Sequence, residues 1–223
     1  MRTGLFAAAL LVLAGCASQS QPTLDPGAAK SFDGLTAVSG TNASEVWVRP
    51  DFDLSGYNKL LVRSAGIQYR PVERNVGGSQ ANLQFPMSAT QKDGLQEIVG
   101  EEFRSALGRL ERYEIVDQPG PDVLLLRIGL MDVVSRVPST PAGRADLYID
   151  SPGEASLLIE LADSESEATL LRVVDRQAAG RGRSYRVTAV SSANDVRRMA
   201  KNWAADLVDS LEEVSDLHSI AER

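Results

Sequence analysis

The chain has 223 residues, of which 43% are hydrophobic, 24% charged and 5% aromatic, a composition that excludes a mainly disordered or collagen-like protein. Its formal net charge of −7 argues against sequence-independent binding of nucleic acid, which needs clustered positive charge. One cysteine and one histidine are too few for a disulfide framework, a Cys/His metal site or a Cys/His catalytic pair.

The first 16 residues, MRTGLFAAALLVLAGC, have the three-part form of a secretion signal. One positive charge at Arg2 precedes an apolar run over residues 5–13, and small residues then lead to Cys16. The run is about half of the roughly 18 apolar residues that a membrane-spanning helix needs, so a cleaved signal is favoured over a retained span. We expect residues 1–15 to be a signal peptide.

The end of this signal, Leu13, Ala14, Gly15 and Cys16, resembles the bacterial lipobox, in which the cysteine thiol receives a lipid and the signal is cut just before it. Cysteine suits the role because its thiolate is readily alkylated. The resemblance implies a diacylglycerol and an N-acyl chain such as palmitate on Cys16, no other cofactor, and a membrane anchor. Ala17, rather than Asp, follows the cysteine and resembles the outer-membrane sorting signal of enteric lipoproteins, which implies the inner leaflet of the outer membrane, facing the periplasm. The alternative is an ordinary secretory signal that is cut elsewhere.

The rest of the chain divides into a tether, one domain and a short tail. Residues 16–31 are rich in Ser, Gln, Pro and Ala, which predicts a flexible tether after the lipidated cysteine. Residues 32–217 predict a single globular domain, and residues 218–223 a C-terminal tail. Because cleavage removes Arg2, the mature chain is one unit more acidic, which disfavours a domain lying flat on anionic headgroups.

The spacing of apolar residues predicts the elements of the domain. The first half contains a surface lead-in over residues 46–57, a buried strand over 59–67, a polar loop over 71–86, a helix over 88–110 with a capping box from Ser88 and Gln91, and a short strand over 113–116. The second half contains a long central strand over 122–137, a polar loop over 138–152, a hairpin with strands over 155–161 and 170–175, a strand over 185–190, and a helix that begins at Ser192 with Asp195.

These elements predict an α+β fold, because helices and strands are present without a regular alternation along the chain. We expect a single mixed, mostly antiparallel sheet of about five strands. The two amphipathic helices each have one apolar stripe, so we expect both to pack on one face of that sheet.

Several segments of the chain resemble bacterial lipoproteins of unknown function, which are periplasm-facing envelope proteins widespread in proteobacteria. These segments are the lipobox, residues 47–50 (WVRP), 54–60 (LSGYNKL), 121–124 (PDVL) and 160–164 (ELADS). The resemblance covers nearly the whole mature chain and implies no catalytic or ligand-binding residues. The layout is also similar to that of envelope lipoproteins that are accessory parts of transport or assembly machines.

The chain has none of the common catalytic or phosphate-binding motifs, such as G-x-S-x-G, H-E-x-x-H, Walker A or G-x-G-x-x-G. Asp163, Glu165 and Glu167 lack the spacing and the glycine of a calcium loop, which favours a solvated hairpin turn over a cation site. We therefore expect neither an enzyme nor a metal site.

Arginines cluster in the last third of the chain and offer the candidate binding pattern. Planar guanidinium groups suit bidentate capture of phosphate or carboxylate, although an ion-paired, solvated face is the favoured interpretation. The possible anion-binding residues are Arg181, Arg183, Arg186, Arg197 and Arg198, and Arg172 and Arg176 lie in the same stretch.

Two functional hypotheses of different class follow from the sequence. The preferred one is a non-enzymatic, membrane-anchored lipoprotein that docks to an envelope protein, as an accessory component of transport or assembly. It predicts an exposed apolar or strand-edge surface. The alternative is a binding module for an anionic envelope glycan or lipid, peptidoglycan or lipopolysaccharide. It predicts arginines that converge on one face and binding that weakens with salt.

Replacement of the lipobox cysteine tests the predicted anchor. Cys16→Ser should abolish the acyl chains and stable membrane association, because two chains anchor a protein through about 0.8 kcal/mol per buried methylene. Mass spectrometry of the N-terminal peptide and membrane fractionation measure both effects. Ser18→Ala is the control and should keep the lipid. A Cys16→Ser protein that fractionates with membranes like the wild type would contradict the prediction.

Overall fold

The computed structural model describes residues 23–24, 27, 30–51, 53–72, 83–139, 148–180 and 183–214. The predicted signal peptide and C-terminal tail lie outside these residues, as do large parts of the two polar loops. The elements are, in chain order, β1 (Thr23–Leu24), β2 (Thr36–Ser39), β3 (Glu45–Val48), β4 (Lys59–Tyr69), α1 (Ala89–Leu107), β5 (Glu114–Val116), β6 (Val123–Ser135), β7 (Tyr148–Ile149), β8 (Gly153–Asp163), β9 (Thr169–Ala179), β10 (Tyr185–Arg186) and α2 (Ala189–Val214).

Eight of these strands form one mixed sheet in the order β1-β2-β3-β9-β8-β6-β4-β5. Neighbours from β1 to β6 in this order pair antiparallel, whereas β4 pairs parallel with both β6 and β5. β7 and β10 form a separate antiparallel pair. The predicted α+β fold with a mixed sheet and two helices is confirmed. The expected number of about five strands is too low, and the β4 side of the sheet is parallel.

The core is built around β6, which lies between β8 and β4 and is buried along most of its length. Leu124, Leu126 and Leu130 belong to the main core cluster, together with apolar side chains of both helices. Since successive side chains of a strand point to opposite faces, Val123 and Leu125 lie on the other face. There they pack in a small second cluster with Leu61 and Ala162.

Both helices lie on the same face of the sheet, because their buried side chains share the main core cluster with the same strand residues. The predicted cap of α1 is confirmed: the Ser88 Oγ accepts from the Gln91 N–H at 3.2 Å, and the Ser88 N–H donates to the Gln91 Oε1 at 2.9 Å. In α2 the fully buried Trp203 is the largest core side chain, and its Nε1 donates to the Asp175 Oδ2 at 2.8 Å.

The predicted surface lead-in over residues 46–57 is wrong at its beginning, where the structure contains β3. This strand pairs with β2 on one side and with β9 on the other, so it lies within the sheet. Val46 lies opposite Val173 and Val48 opposite Leu171, and Val48 is fully buried. The alternating valines are the sequence signal of a half-buried strand, and they outweigh the nearby turn residues.

The predicted start of the second helix at Ser192 is also wrong, because α2 begins at Ala189. Its first turn is capped by Thr188, whose Oγ1 accepts from the Ser191 N–H at 3.0 Å, while the Ser191 Oγ accepts from the Thr188 N–H at 2.8 Å. The strand predicted over residues 185–190 is consequently limited to the two residues of β10.

Other predicted elements agree in type with the structure and differ mainly at their ends. The hairpin is confirmed as β8 and β9, which are both longer than expected. The central strand is β6, and the short strand after α1 is β5. Within the segment predicted as a tether, Thr23 and Leu24 form β1 and pair with Ser39 and Val38, so the sheet begins earlier than residue 32.

The central position of β6 predicts a large effect of truncation there. Leu126→Ala should lower the free energy of unfolding by about 2–5 kcal/mol, because it leaves a cavity between the sheet and the helices. Ile115→Ala is the control: this side chain on β5 is 48% exposed, and its loss should cost about 0.5 kcal/mol or less. Denaturant unfolding of a lipid-free form that begins at residue 17 measures both. If the two variants lost the same free energy of unfolding, the central role of β6 in the core would be contradicted.

Candidate functional site

The sheet face opposite the helices, here called the open face, carries a network of charged side chains. Ile159 and Leu161 of β8 belong to the main core cluster, so Glu160 between them points to the open face. Glu160 lies opposite Arg127 of β6 and Arg172 of β9. Opposite charges therefore meet across three adjacent strands.

Arg172 is the best buried arginine of this network. Its Nε donates to the Glu160 Oε1 at 2.8 Å and its Nη2 to the Asp33 Oδ2 at 2.6 Å, and only 16% of its side chain is exposed. The hydrogen bond from Arg172 holds the pKa of Asp33 below its ordinary value. The guanidinium is thus neutralised within the fold, and it fixes the turn before β2 to the sheet.

Glu154 at the beginning of β8 accepts hydrogen bonds from three arginines. Its carboxylate lies 2.6 Å from the Arg176 Nη2, 3.1 Å from the Arg136 Nη2 and 3.4 Å from the Arg70 Nη1, and Arg70 also pairs with Asp132 at 3.1 Å. Burial raises the pKa of Glu154, but the bonds from Arg176 and Arg136 outweigh this effect and hold it below its ordinary value. The cluster joins β8 and β9 to the residues that directly follow β4 and β6.

The arginines singled out in the sequence do not share one face. Arg172 and Arg176 lie on the open face, whereas Arg197 of α2 pairs with Glu101 and Glu102 of α1 in the helix layer, at 3.2 and 3.3 Å. Arg198 donates to Asp195 and to the Gly180 carbonyl. Arg183 and Arg186 are exposed, and Arg181 lies outside the described residues.

A buried acid that sequence reasoning missed lies in α2. Asp195 is only 1% exposed and accepts hydrogen bonds from the Tyr185 hydroxyl and from Arg198. The sequence predicts it at the beginning of a helix that starts at Ser192, whereas in the structure it joins β10 to the helix. The available signal is its position four residues before Met199, which places it on the buried stripe of the helix.

The acidic turn between β8 and β9 is closed by its own hydrogen bonds. The Asp163 Oδ1 accepts from the Ser166 N–H at 2.7 Å, and the Asp163 Oδ2 accepts from the Tyr57 hydroxyl at 3.1 Å. Burial and this hydrogen bond raise the pKa of Tyr57 to about 12. Within the described part of the chain, no group of three or more His, Cys, Asp or Glu side chains is arranged to hold a metal ion.

The outer edge of β4, defined as residues 62–68, is an unpaired strand edge among the described residues. β5 pairs only with Lys59, Leu60 and Leu61, whereas β6 pairs with β4 along nearly its whole length. The Lys59 N–H donates to the Asp122 carbonyl on the β6 side. Because successive residues of a parallel strand direct their main-chain groups to alternate sides, those of Val62 and Ser64 point outward.

A bulge interrupts this outer edge. Residues 63–66 are exposed, and the register with β6 shifts between Ser64 and Gly66. Gly66 has a φ of 84°, which favours glycine, and its N–H donates to the Ser64 Oγ at 3.1 Å. The bulge bends the strand, so the flat part of the free edge is the short stretch around Val62 and Ser64.

The Glu154 cluster predicts a stability effect with a defined pH dependence. Glu154→Gln should lower the free energy of unfolding at pH 7 by about 1–3 kcal/mol, since it removes the charged acceptor of three guanidinium groups. The pKa of Glu154 is lower in the folded protein than its ordinary value of 4.5. Its ion pairs therefore contribute fully to the free energy of unfolding above pH 4.5, and this contribution is lost as the pH falls through the pKa of the folded protein. The difference from wild type should therefore shrink in acid.

Glu167→Gln is the matched control, because Glu167 pairs with Arg127 but its side chain is 68% exposed. This substitution should cost about 1 kcal/mol or less. Denaturant unfolding between pH 3 and pH 7 measures both variants. If the stability lost by Glu154→Gln relative to wild type increased toward low pH, the stabilising role of the Glu154 ion pairs would be overturned.

No helix among the described residues is long and apolar enough to cross a membrane.

Comparison with known proteins gives a family and several distant structural likenesses. No curated protein matches the chain. One similar solved structure is a PelC dodecamer from Paraburkholderia phytofirmans, with 12% identity and a TM-score of 0.35 over 78% of this chain and 96% of that chain. A minor lipoprotein from Acinetobacter baumannii has 9% identity and a TM-score of 0.36 over 70% of this chain and 94% of that chain. A DUF330 protein from Xanthomonas campestris has 14% identity and a TM-score of 0.39 over 75% of this chain and 91% of that chain. These similarities are too low to carry an argument about function. The model of one family matches residues 25–207. The chain therefore belongs to the family described as "Protein of unknown function (DUF3313)".

Proposed function

We propose that this protein is a non-enzymatic lipoprotein of the cell envelope whose domain docks a partner protein at the outer edge of β4. Its anchor is the lipid on Cys16 in the inner leaflet of the outer membrane, and its domain lies in the periplasm. The partner is an envelope protein of a transport or assembly system. The proposal rests on the observation that β5 pairs with β4 only as far as Leu61. Beyond this point the main-chain groups of Val62 and Ser64 have no neighbouring strand in the described part of the sheet.

The chemistry of this edge suits addition of a strand from the partner. Main-chain hydrogen bonds provide the affinity in such complexes, and the side chains next to the added strand provide specificity. Arg63 is exposed and Ile115 of β5 is 48% exposed, so a charged and an apolar side chain flank the free edge. The bulge at Ala65 and Gly66 limits the added strand to a short segment.

The alternative function, binding of an anionic glycan or lipid, has weaker support from the geometry. A site for an anion needs guanidinium groups that are not already neutralised. Arg172 and Arg176 pair with carboxylates on the open face, and Arg197 and Arg198 pair with carboxylates in the helix layer. Among the described candidate arginines, the exposed Arg183 stays available to this alternative, and Arg181 lies outside the described residues.

Site-specific photocrosslinking in living cells tests the docking edge. A photoreactive amino acid at Arg63 should capture a specific envelope protein, whereas the same group at the exposed Lys201 of α2 should not. Ser64→Pro, added to the Arg63 probe, should reduce capture strongly, because proline lacks the outward N–H that a partner strand would use. Mass spectrometry identifies the captured protein.

Two controls separate docking from unfolding. The Ser64→Pro domain should unfold at nearly the same denaturant concentration as wild type, since proline is tolerated at sheet edges where the N–H faces solvent. Equal capture from positions 63 and 201, or capture that Ser64→Pro leaves unchanged in a folded protein, would refute docking at this edge.

A further inference from the structure

Phe32 is an apolar side chain that the fold holds in solvent. It is 96% exposed, the largest fraction among the exposed large hydrophobic side chains that the structure describes. An isolated exposed apolar residue is common on protein surfaces and needs no explanation by itself. Phe32 differs from such residues because its turn is held by several hydrogen bonds and lies only 16 residues after the predicted lipid anchor at Cys16.

The turn over residues 31–35 is held by hydrogen bonds at both ends. The Ser31 N–H donates to the Leu35 carbonyl at 2.9 Å, the Leu35 N–H donates to the Ser31 Oγ at 2.9 Å, and the Gly34 N–H donates to the Ser31 carbonyl at 3.0 Å. Leu35 is fully buried, and Asp33 pairs with Arg172. The exposure of Phe32 is thus a property of an ordered turn.

The described surroundings of Phe32 are an arginine that is paired within the fold and a lysine that is near in the chain. The Arg172 guanidinium carbon lies 5.6 Å from the ring centre, and the charge of Arg172 is neutralised by Asp33 and Glu160. Lys30, two residues before Phe32, is exposed. An aromatic ring beside an exposed lysine is the combination that proteins place at the boundary between headgroups and acyl chains.

The length of the chain before β1 limits how far this turn can lie from the bilayer. Six residues, 17–22, separate Cys16 from Thr23, so an extended chain spans at most about 25 Å between them. Thr23 lies opposite Ser39 at one end of β2, and the turn joins β2 at its other end, about 10 Å away at Thr36. The turn therefore lies at one end of β2, the strand beside β1, within reach of the chain that leads from the lipid.

We propose that Phe32 contacts the bilayer and enters the headgroup region of the leaflet that holds the lipidated Cys16. This inference rests on the lipid anchor of the proposed function. Contact through one turn is compatible with the acidic charge of the domain, because only Lys30 and Phe32 approach the lipid while the acidic surface stays in water. The contact would fix which edge of the sheet faces the membrane and thereby orient the domain.

A single fluorescent label on the lipidated full-length mature protein tests this contact. Cys16 is the only cysteine and its thiol is blocked by the lipid, so Phe32→Cys carries one reactive thiol for an environment-sensitive fluorophore. Val190→Cys is the control: this residue is 71% exposed and lies on α2, on the helix side of the sheet. Both proteins are reconstituted into vesicles of phosphatidylethanolamine and phosphatidylglycerol that contain lipids with nitroxide quenchers near the headgroups.

The label at position 32 should shift its emission to the blue and be quenched several-fold more strongly than the label at position 190. Flotation of the vesicles reports the anchor separately. If the proteins float but the label at 32 is as accessible to water as the label at 190, the bilayer contact is overturned while the anchor stands. If neither protein floats, the anchor fails, and the contact that rests on it fails too. Shielding of position 32 only after addition of envelope proteins would also overturn the bilayer contact.

Discussion

Burial of both faces of β6 is the constraint on which the rest of the molecule depends. Its even-numbered leucines at 124, 126 and 130 close the core under the helices, and Leu125 on the opposite face packs with Leu61 and Ala162. A strand buried on both faces needs neighbours on both sides to satisfy its main chain. β4 supplies one neighbour in parallel and β8 the other in antiparallel orientation, and this is why the sheet is mixed.

The open face of the sheet is charged, and its described guanidinium groups pair with carboxylates of the same fold. Away from the Leu125 cluster, this face is crossed by long side chains that pair across strands, such as Arg172 with Glu160 and Arg176 with Glu154. Partly buried guanidinium groups need acceptors because an unpaired buried charge is costly. The carboxylates on neighbouring strands meet that need within the fold.

The sequence was sufficient to predict the structural features that depend on residues close together in the chain. The capping box of Ser88 and Gln91, the apolar run of β6 and the hairpin of β8 and β9 each depend on residues close together in the chain, and the structure contains all three. Membership of a family of unknown function also agrees with the resemblance seen in the sequence. The lipobox lies outside the described residues and stays a prediction.

What escaped prediction depends on residues distant in the chain. β3 lies in the sheet because β9, more than a hundred residues later, provides a partner strand. Glu154 likewise pairs with Arg70, which follows β4, and with Arg176 of β9, and no spacing rule in the sequence connects these residues. The outer edge of β4 likewise has no partner strand among the described residues because β5 is short and pairs with only three residues of β4. Pairing over such separations is decided by the packing of the whole sheet, and tertiary context overrides local preference there.

The strand order has one more consequence, which concerns how a partner would be found. β1 and β4 are separated by six strand spacings, about 30 Å across the sheet. The proposed lipid anchor would join the chain at the β1 edge, so the outer edge of β4 would lie at a bounded distance from the bilayer and the domain would sample only a thin layer beside the membrane. For a partner embedded in or attached to that same membrane, this confinement acts as a high effective concentration, so a short, individually weak strand pairing can be sufficient for a stable complex.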